Sequence, residues 1–176
     1  MSHFTVFVTG KNPGKLLEPY SEHLKVKEWL VGAVSEEDKK IFIDAYKGDY
    51  PGKSLEEIYA EKGDEWNSSS WRKEEGVWKE YSTCNPEKRW DYWVEIIKLT
   101  KKAIEKYNAQ PDVPDAIAFV PHAFLSKATG WREQGRAGWF GTVTGKKTPD
   151  EWYREFMDFF DSLSEKEEIH IIDCHI

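Results

Sequence analysis

Apolar and polar positions alternate at the start of the chain. In "HFTVFVT", Phe4, Val6 and Val8 share one side while His3, Thr5, Phe7 and Thr9 share the other, which predicts a strand over Phe4 to Val8. "EIHIIDCHI" alternates in the same way at the end. It predicts a strand with Ile169, Ile171, Asp173 and His175 on one face and His170, Ile172, Cys174 and Ile176 on the other. "GKNPGK" reads as a turn, and Leu24 to Trp29 as a short strand or extended segment. Helical signals follow. Ser35 caps "EEDKKIFIDAYKG", with Gly48 as its stop, and Ser54 with Glu57 forms a capping box that opens a second helix, ended by Gly63. Trp93, Ile96, Ile97, Thr100, Ile104 and Tyr107 recur at helical spacing in "DYWVEIIKLTKKAIEKYNA", predicting a helix capped by Asp91. Thr148, Pro149 and Glu151 open the best-marked helix, whose stripe is Trp152, Phe156, Phe159 and Leu163.

Two segments resist a periodic reading. Residues 64–90 set Trp66, Trp71, Trp78 and Trp90 in a polar, turn-rich background, and are read as a loop region pinned by its tryptophans. "AIAFVPHAFL" predicts a strand edged by Pro121, and "WREQGRAGWFGTV" predicts tight turning at Gly135, Gly138 and Gly141. The expected fold is therefore α+β, a single domain over residues 1–176. Its small, mainly antiparallel sheet includes the N- and C-terminal strands and is covered by about four helices.

Composition narrows the setting. Nine Trp, eight Tyr and nine Phe among 176 residues supply an aromatic core or an interaction face. A net charge of -7, with only five Arg, disfavours nucleic acid and anionic membranes as partners. No apolar run has the length of a membrane span, and the opening residues lack the basic region of a signal peptide. The two cysteines, Cys84 and Cys174, lack metal-ligand or redox spacing, which fits a cytoplasmic protein.

Candidate chemistry concentrates in the last strand. Asp173 and His175 fall on one face, and pairing of the terminal strands would add His3, giving a two-His, one-carboxylate set suited to a divalent metal cofactor. The structural alternative is a local hydrogen bond between Asp173 and His175, because no sequential motif such as HExxH is present. His122, after Pro121, is a candidate general base in a pocket with Asp91 or the tail residues, or a polar residue on an edge strand. Trp90, Trp93, Arg132, Arg136 and Trp139 are candidates to line a slot for a small molecule or nucleotide, or a patch for a protein partner. Neither the Walker loop nor G-x-G-x-x-G is present, so the glycines near Trp139 also read as structural turns.

Three blocks carry a resemblance: "MSHFTVFVTG" with "LLEPY", then "YSTCNPEKRWDYW", and finally "GRAGWFG" with "IIDCHI". Together they resemble a family of small proteins encoded by bacteriophages and prophages, for which no activity is established. The matching positions are His3, Phe4, Pro19, Tyr20, Asn85, Pro86, Trp90, Asp91, Gly138, Trp139, Gly141, Asp173, Cys174 and His175. After Asp91 the family continues with an "IGGRW"-like stretch, where this chain runs on as "YWVEIIKLTKKAIEKY". The resemblance implies a phage setting. Three functions follow as expectations: binding of a host protein or regulatory factor, as in counter-defence; a small metal-dependent hydrolase or nucleotide-processing enzyme; and a small-molecule or nucleotide-binding module.

Overall fold

A computed structural model describes residues 2–62, 69–111, 119–138 and 142–176. In chain order the elements are β1 (His3–Thr9), α1 (Pro13–Leu17), a 3₁₀ turn (Glu18–Tyr20), β2 (Trp29–Ala33), α2 (Glu36–Tyr46), α3 (Leu55–Lys62), β3 (Ser69–Glu74) and β4 (Val77–Ser82). They continue as β5 (Tyr92–Thr100), α4 (Lys101–Asn108), β6 (Ala123–Ser126), β7 (Gly130–Glu133), β8 (Arg136–Ala137), β9 (Val143–Thr144), α5 (Pro149–Ser162) and β10 (Glu168–His175). This is a small α+β fold. Two compact units form, one from Met1–Leu24 with Glu87–Ile176 and the other from Lys25–Pro86.

The larger unit is built on a five-stranded sheet in the order β5-β10-β1-β6-β7. All its pairings are antiparallel except β1 with β6. The terminal strands pair centrally, as expected, with His3 opposite His175 and Phe7 opposite Ile171. Apolar side chains are buried on both faces. Phe7, Phe124, Ile169 and Ile171 pack under Phe156 and Phe159 of α5, while Val6, Val8, Ile172 and Cys174 pack with Leu17 on the other face. That two-sided burial explains the nearly unbroken apolar run of β10.

α5 begins as its sequence predicts: Thr148 Oγ1 accepts from Glu151 N, and Glu151 reaches back to Thr148 N. Its C-terminus receives Lys101, a buried lysine whose Nζ donates to the carbonyls of Asp161 (3.1 Å) and Leu163 (3.0 Å). The ammonium thereby satisfies carbonyls left without helical partners.

Several expectations need correction. The helix predicted over residues 91–109 is two elements, because β5 runs from Tyr92 to Thr100 and only Lys101–Asn108 is helical. Thr100 caps α4 by accepting from Ala103 N (3.2 Å), so the helical stripe counted across Thr100 was a coincidence of spacing. Tyr, Trp, Val, Ile and Thr suit a strand, and β10 supplies the partner. "GKNPGK" contains the start of α1, with Asn12 as cap and Pro13 at its first position. Residues 24–28 are not a strand; pairing begins at Trp29.

In the smaller unit, β2, β4 and β3 form a three-stranded sheet. The segment read as a pinned loop contains a hairpin of β3 and β4, closed at Glu75 (φ 51°) and Gly76 (φ 82°). Two consecutive positive φ values are the signature of a two-residue I′ turn. Trp71 and Trp78 from this hairpin pack with Phe42 of α2 and Ile58 of α3. Ser54 and Glu57 form the expected reciprocal cap. Trp66 and the stop at Gly63 lie outside the described residues.

Candidate metal centres

The β1–β10 register determines the first cluster. Residues directly opposite each other in an antiparallel pair project to the same face, so His3, His175 and Asp173 converge on the sheet face that also carries Phe7 and Ile171. His3 Nδ1 and His175 Nε2 each lie 3.1 Å from the same atom, Asp173 Oδ2. The three side chains offer ligand atoms within 4.8 Å of one another. Their exposure is graded: the His175 side chain is 7% exposed, Asp173 29% and His3 57%. Without a cation, both imidazoles can donate to the shared carboxylate oxygen.

The ring of His175 is held mainly by packing. Tyr92 stacks on it at 3.9 Å with an interplanar angle of 20°, and His3 meets it edge-on at 3.9 Å. Its Nδ1 is buried with no hydrogen-bond partner among the described residues. A ligating imidazole ordinarily gives its second nitrogen a hydrogen bond, so here stacking takes over the orienting role. The donor set fits a divalent transition ion. Metal–ligand bonds near 2.0–2.2 Å place tetrahedral ligands about 3.3 Å apart, close to both observed 3.1 Å separations. Two imidazoles and one carboxylate with open sides also match catalytic zinc and non-haem iron sites in composition.

A second cluster, not anticipated from the sequence, joins Glu22, His23 and Asp91. His23 Nε2 lies 2.6 Å from Asp91 Oδ1, and both side chains are well exposed. The expected role of Asp91 as a helix cap is therefore replaced by this contact. The cluster forms because Glu22 N donates to Trp90 O and Asp91 N donates to His175 O. Sixty-eight residues separate His23 from Asp91, so no local spacing could have revealed the pair.

The remaining candidates are dispersed. His122 lines a cavity of about 810 Å³ with Gln134, Asp150, Trp152 and Tyr153. Burial pushes its pKa below the ordinary value, and the hydrogen bond to Gly135 O (2.8 Å) opposes that shift. The expected pairing of His122 with Asp91 does not form; Asp91 bonds His23 and His122 bonds Gly135. Trp90 donates its indole N–H to Leu17 O, and both Trp90 and Trp93 pack against the core cluster containing Leu17 and Cys174. Arg132 and Arg136 both line a cavity of about 410 Å³. Trp139 lies outside the described residues.

His170 and Cys174 have structural explanations. His170 bridges Glu95 and the Gly10 carbonyl at 3.1 Å each. Cys174 is fully buried, and burial pushes its thiol well above the usual range. The two cysteines are not joined by a disulfide. No helix among the described residues is long and apolar enough to cross a membrane.

Fold and geometry together define a small α+β protein with two His/carboxylate clusters close enough to chelate a metal ion. Comparison of the chain with protein-family models, with curated proteins and with solved structures finds no match in any of the three.

Proposed function

We propose that the protein is a metal-dependent hydrolase in which His3, Asp173 and His175 hold one divalent cation. The approach of two imidazoles to a single carboxylate oxygen, 3.1 Å from each, carries this reading. A cation held there would supply Lewis acidity toward a carbonyl or phosphoryl group. Asp173 brings the negative charge, and the buried His175 gives the set a fixed anchor. His3, the most exposed of the three, would hold the cation from the solvent side. Tyr92 and Val94 lie beside the set, opposite His175 and Asp173 on β5, and offer an exposed apolar wall for the body of a substrate. His122 and Asp91 hydrogen-bond elsewhere, so the set itself contains no assigned proton carrier.

The test uses protein made without a polyhistidine tag and loaded separately with Zn²⁺, Mn²⁺ or Fe²⁺. Chromogenic carboxylic and phosphoric esters serve as substrates. The expected result is turnover that depends on added metal and disappears in His175→Ala. Failure of all three ions to bind, or equal turnover by wild type and variant, would overturn the proposal.

A second reading, binding of a host protein in a phage setting, draws support from β5. Tyr92, Val94, Ile96 and Ile97 are 41–60% exposed along the edge of the sheet, and contiguous exposed apolar surface marks interaction sites. Cross-linking in host lysate would compare wild type with Ile96→Asp. A partner captured equally by both counts against this reading.

A further inference from the structure

The cavity of about 810 Å³ is lined on one side by Pro121, His122 and Gln134 and on the other by Asp150, Trp152 and Tyr153 of α5. We propose that it binds a small organic cation, of the class of aryl-alkyl amines, whose ammonium group is held by the Asp150 carboxylate. This inference is independent of the proposed metal reading.

Hydrogen bonds fix both walls. The buried indole of Trp152 donates from Nε1 to Pro121 O (2.8 Å). Just ahead of the α5 cap, Lys147 N donates to Gln134 O (2.7 Å). On the sheet side, His122 N donates to Thr5 O (2.9 Å) and Gln134 N donates to His122 O (2.9 Å). That wall therefore continues the pairing of β6 with β1 and β7. A space held from both sides is preformed, and a ligand entering it has little protein to order.

Charge selects the ligand class. His122 Nε2 lies 2.8 Å from Gly135 O; a carbonyl only accepts, so this nitrogen carries the proton and Nδ1 is left as an acceptor. Burial favours that neutral form. Of the charged groups around the ring, Glu133 and Lys146 act with opposite sign, and Glu133 is engaged by Arg89 and Trp131. With His122 neutral, Asp150 is the one charged group in the described lining. Asp150 forms no hydrogen bond or ion pair among the described residues. An anionic ligand would be repelled there, whereas an ammonium gains a charge-assisted hydrogen bond. Trp152 is already stacked on Phe124 and lies under Lys147, which pairs with Glu155. Tyr153, 52% exposed, is the aromatic surface open to the body of the ligand. The volume lies within the range of small-molecule sites.

Isothermal titration with tryptamine, tryptophol and indolepropionate tests the site, with chelator present so that no metal occupies the His/carboxylate clusters. The three probes share an indole and differ in carrying an ammonium, a hydroxyl or a carboxylate. Wild type is expected to bind tryptamine saturably below about 1 mM, and each of the other two at least about tenfold more weakly. Asp150→Asn, which keeps the size of the side chain, should weaken tryptamine binding at least about tenfold. Asp150 is exposed, so this variant should retain the wild-type circular dichroism spectrum. Asp158→Asn removes the same charge from an exposed position on α5 outside the described lining, and should bind like wild type. The inference is overturned if wild type shows no saturable binding of tryptamine below about 1 mM, or if indolepropionate or tryptophol binds as tightly. It is also overturned if Asp150→Asn binds tryptamine unchanged, or if Asp158→Asn weakens binding as much as Asp150→Asn.

Discussion

Removing Asp173 should have two separable consequences, one in chelator and one in the presence of metal. In chelator, Asp173→Ala takes away the acceptor that His175 Nε2 has among the described residues, and His175 Nδ1 already has no partner among them. The result is a 7%-exposed imidazole with neither nitrogen satisfied. Leaving a buried polar group in that state costs about 1–3 kcal/mol, or a melting temperature lower by about 2–12 °C at about 2–4 °C per kcal/mol. His3→Ala should behave differently, because its side chain is 57% exposed and water replaces the lost contact. Its cost should stay below about 1 kcal/mol. The response to metal should not show that contrast. Free Zn²⁺ at about a hundred times its dissociation constant stabilises the folded protein by about 2.7 kcal/mol. Both variants should lose most of that gain despite their unequal costs in chelator. Differential scanning calorimetry of the three proteins, with chelator and with Zn²⁺, measures all six values. A wild type indifferent to Zn²⁺, or His3→Ala retaining the full metal-induced shift, would refute the assignment and leave Asp173 as a hydrogen-bond bridge.

Two further predictions concern the scaffold. Burial lowers the folded pKa of His122 below its ordinary 6.5, so between those two values the unfolded chain binds a proton that the folded one does not. Stability should therefore fall as pH drops below about 6.5, and urea midpoints for His122→Gln should show a shallower acid slope than wild type; an unchanged slope refutes the linkage. Lys101→Met keeps the aliphatic stem but strips the donor from two carbonyls at the end of α5. Chemical denaturation should show a loss of about 2–3 kcal/mol, and a loss below about 0.5 kcal/mol would indicate that solvent replaces the ammonium.

Strands with strict alternation and helices with side-chain caps were legible in the sequence. β1, β10, α2, α3 and α5 all fall where those signals put them. β5 was not legible, because Trp93, Ile96, Ile97 and Thr100 satisfy a helical period and a strand propensity together. The choice is made by the long-range pairing with β10, including an irregularity at Ile171/Ile172 that disturbs strict alternation. The β3–β4 hairpin was hidden for a different reason. Its turn residues are Glu75 and Gly76, whereas Asn-Gly and Asp-Gly are the usual markers of a I′ turn. At the candidate site, face parity grouped Asp173 with His175, and His3 joined them only on the expectation that the terminal strands pair, which they do. Tyr92 was missed because it was assigned to a helix, and the His23 contact with Asp91 depends on a chain crossing that no local pattern encodes.

The same residues that fix the sheet also fix the site. A one-residue slip of β10 against β1 would turn Asp173 and His175 to the face now filled by Ile172 and Cys174. The slip is opposed by apolar pairs on both faces, Phe7 with Ile171 and Val6 with Ile172. Phe7 and Ile171 belong to the cluster under α5, whereas Val6 and Ile172 belong to the one with Leu17. Exchanging parity would place Asp173 in an apolar interior without its two imidazoles, and would expose Ile172 in its place. The desolvation of an unpaired carboxylate alone would exceed the cost of losing a surface ion pair. The positions of His3, Asp173 and His175 are thus set by core packing rather than by their own attraction. That is why substitution within the cluster should abolish metal binding while leaving the sheet register intact.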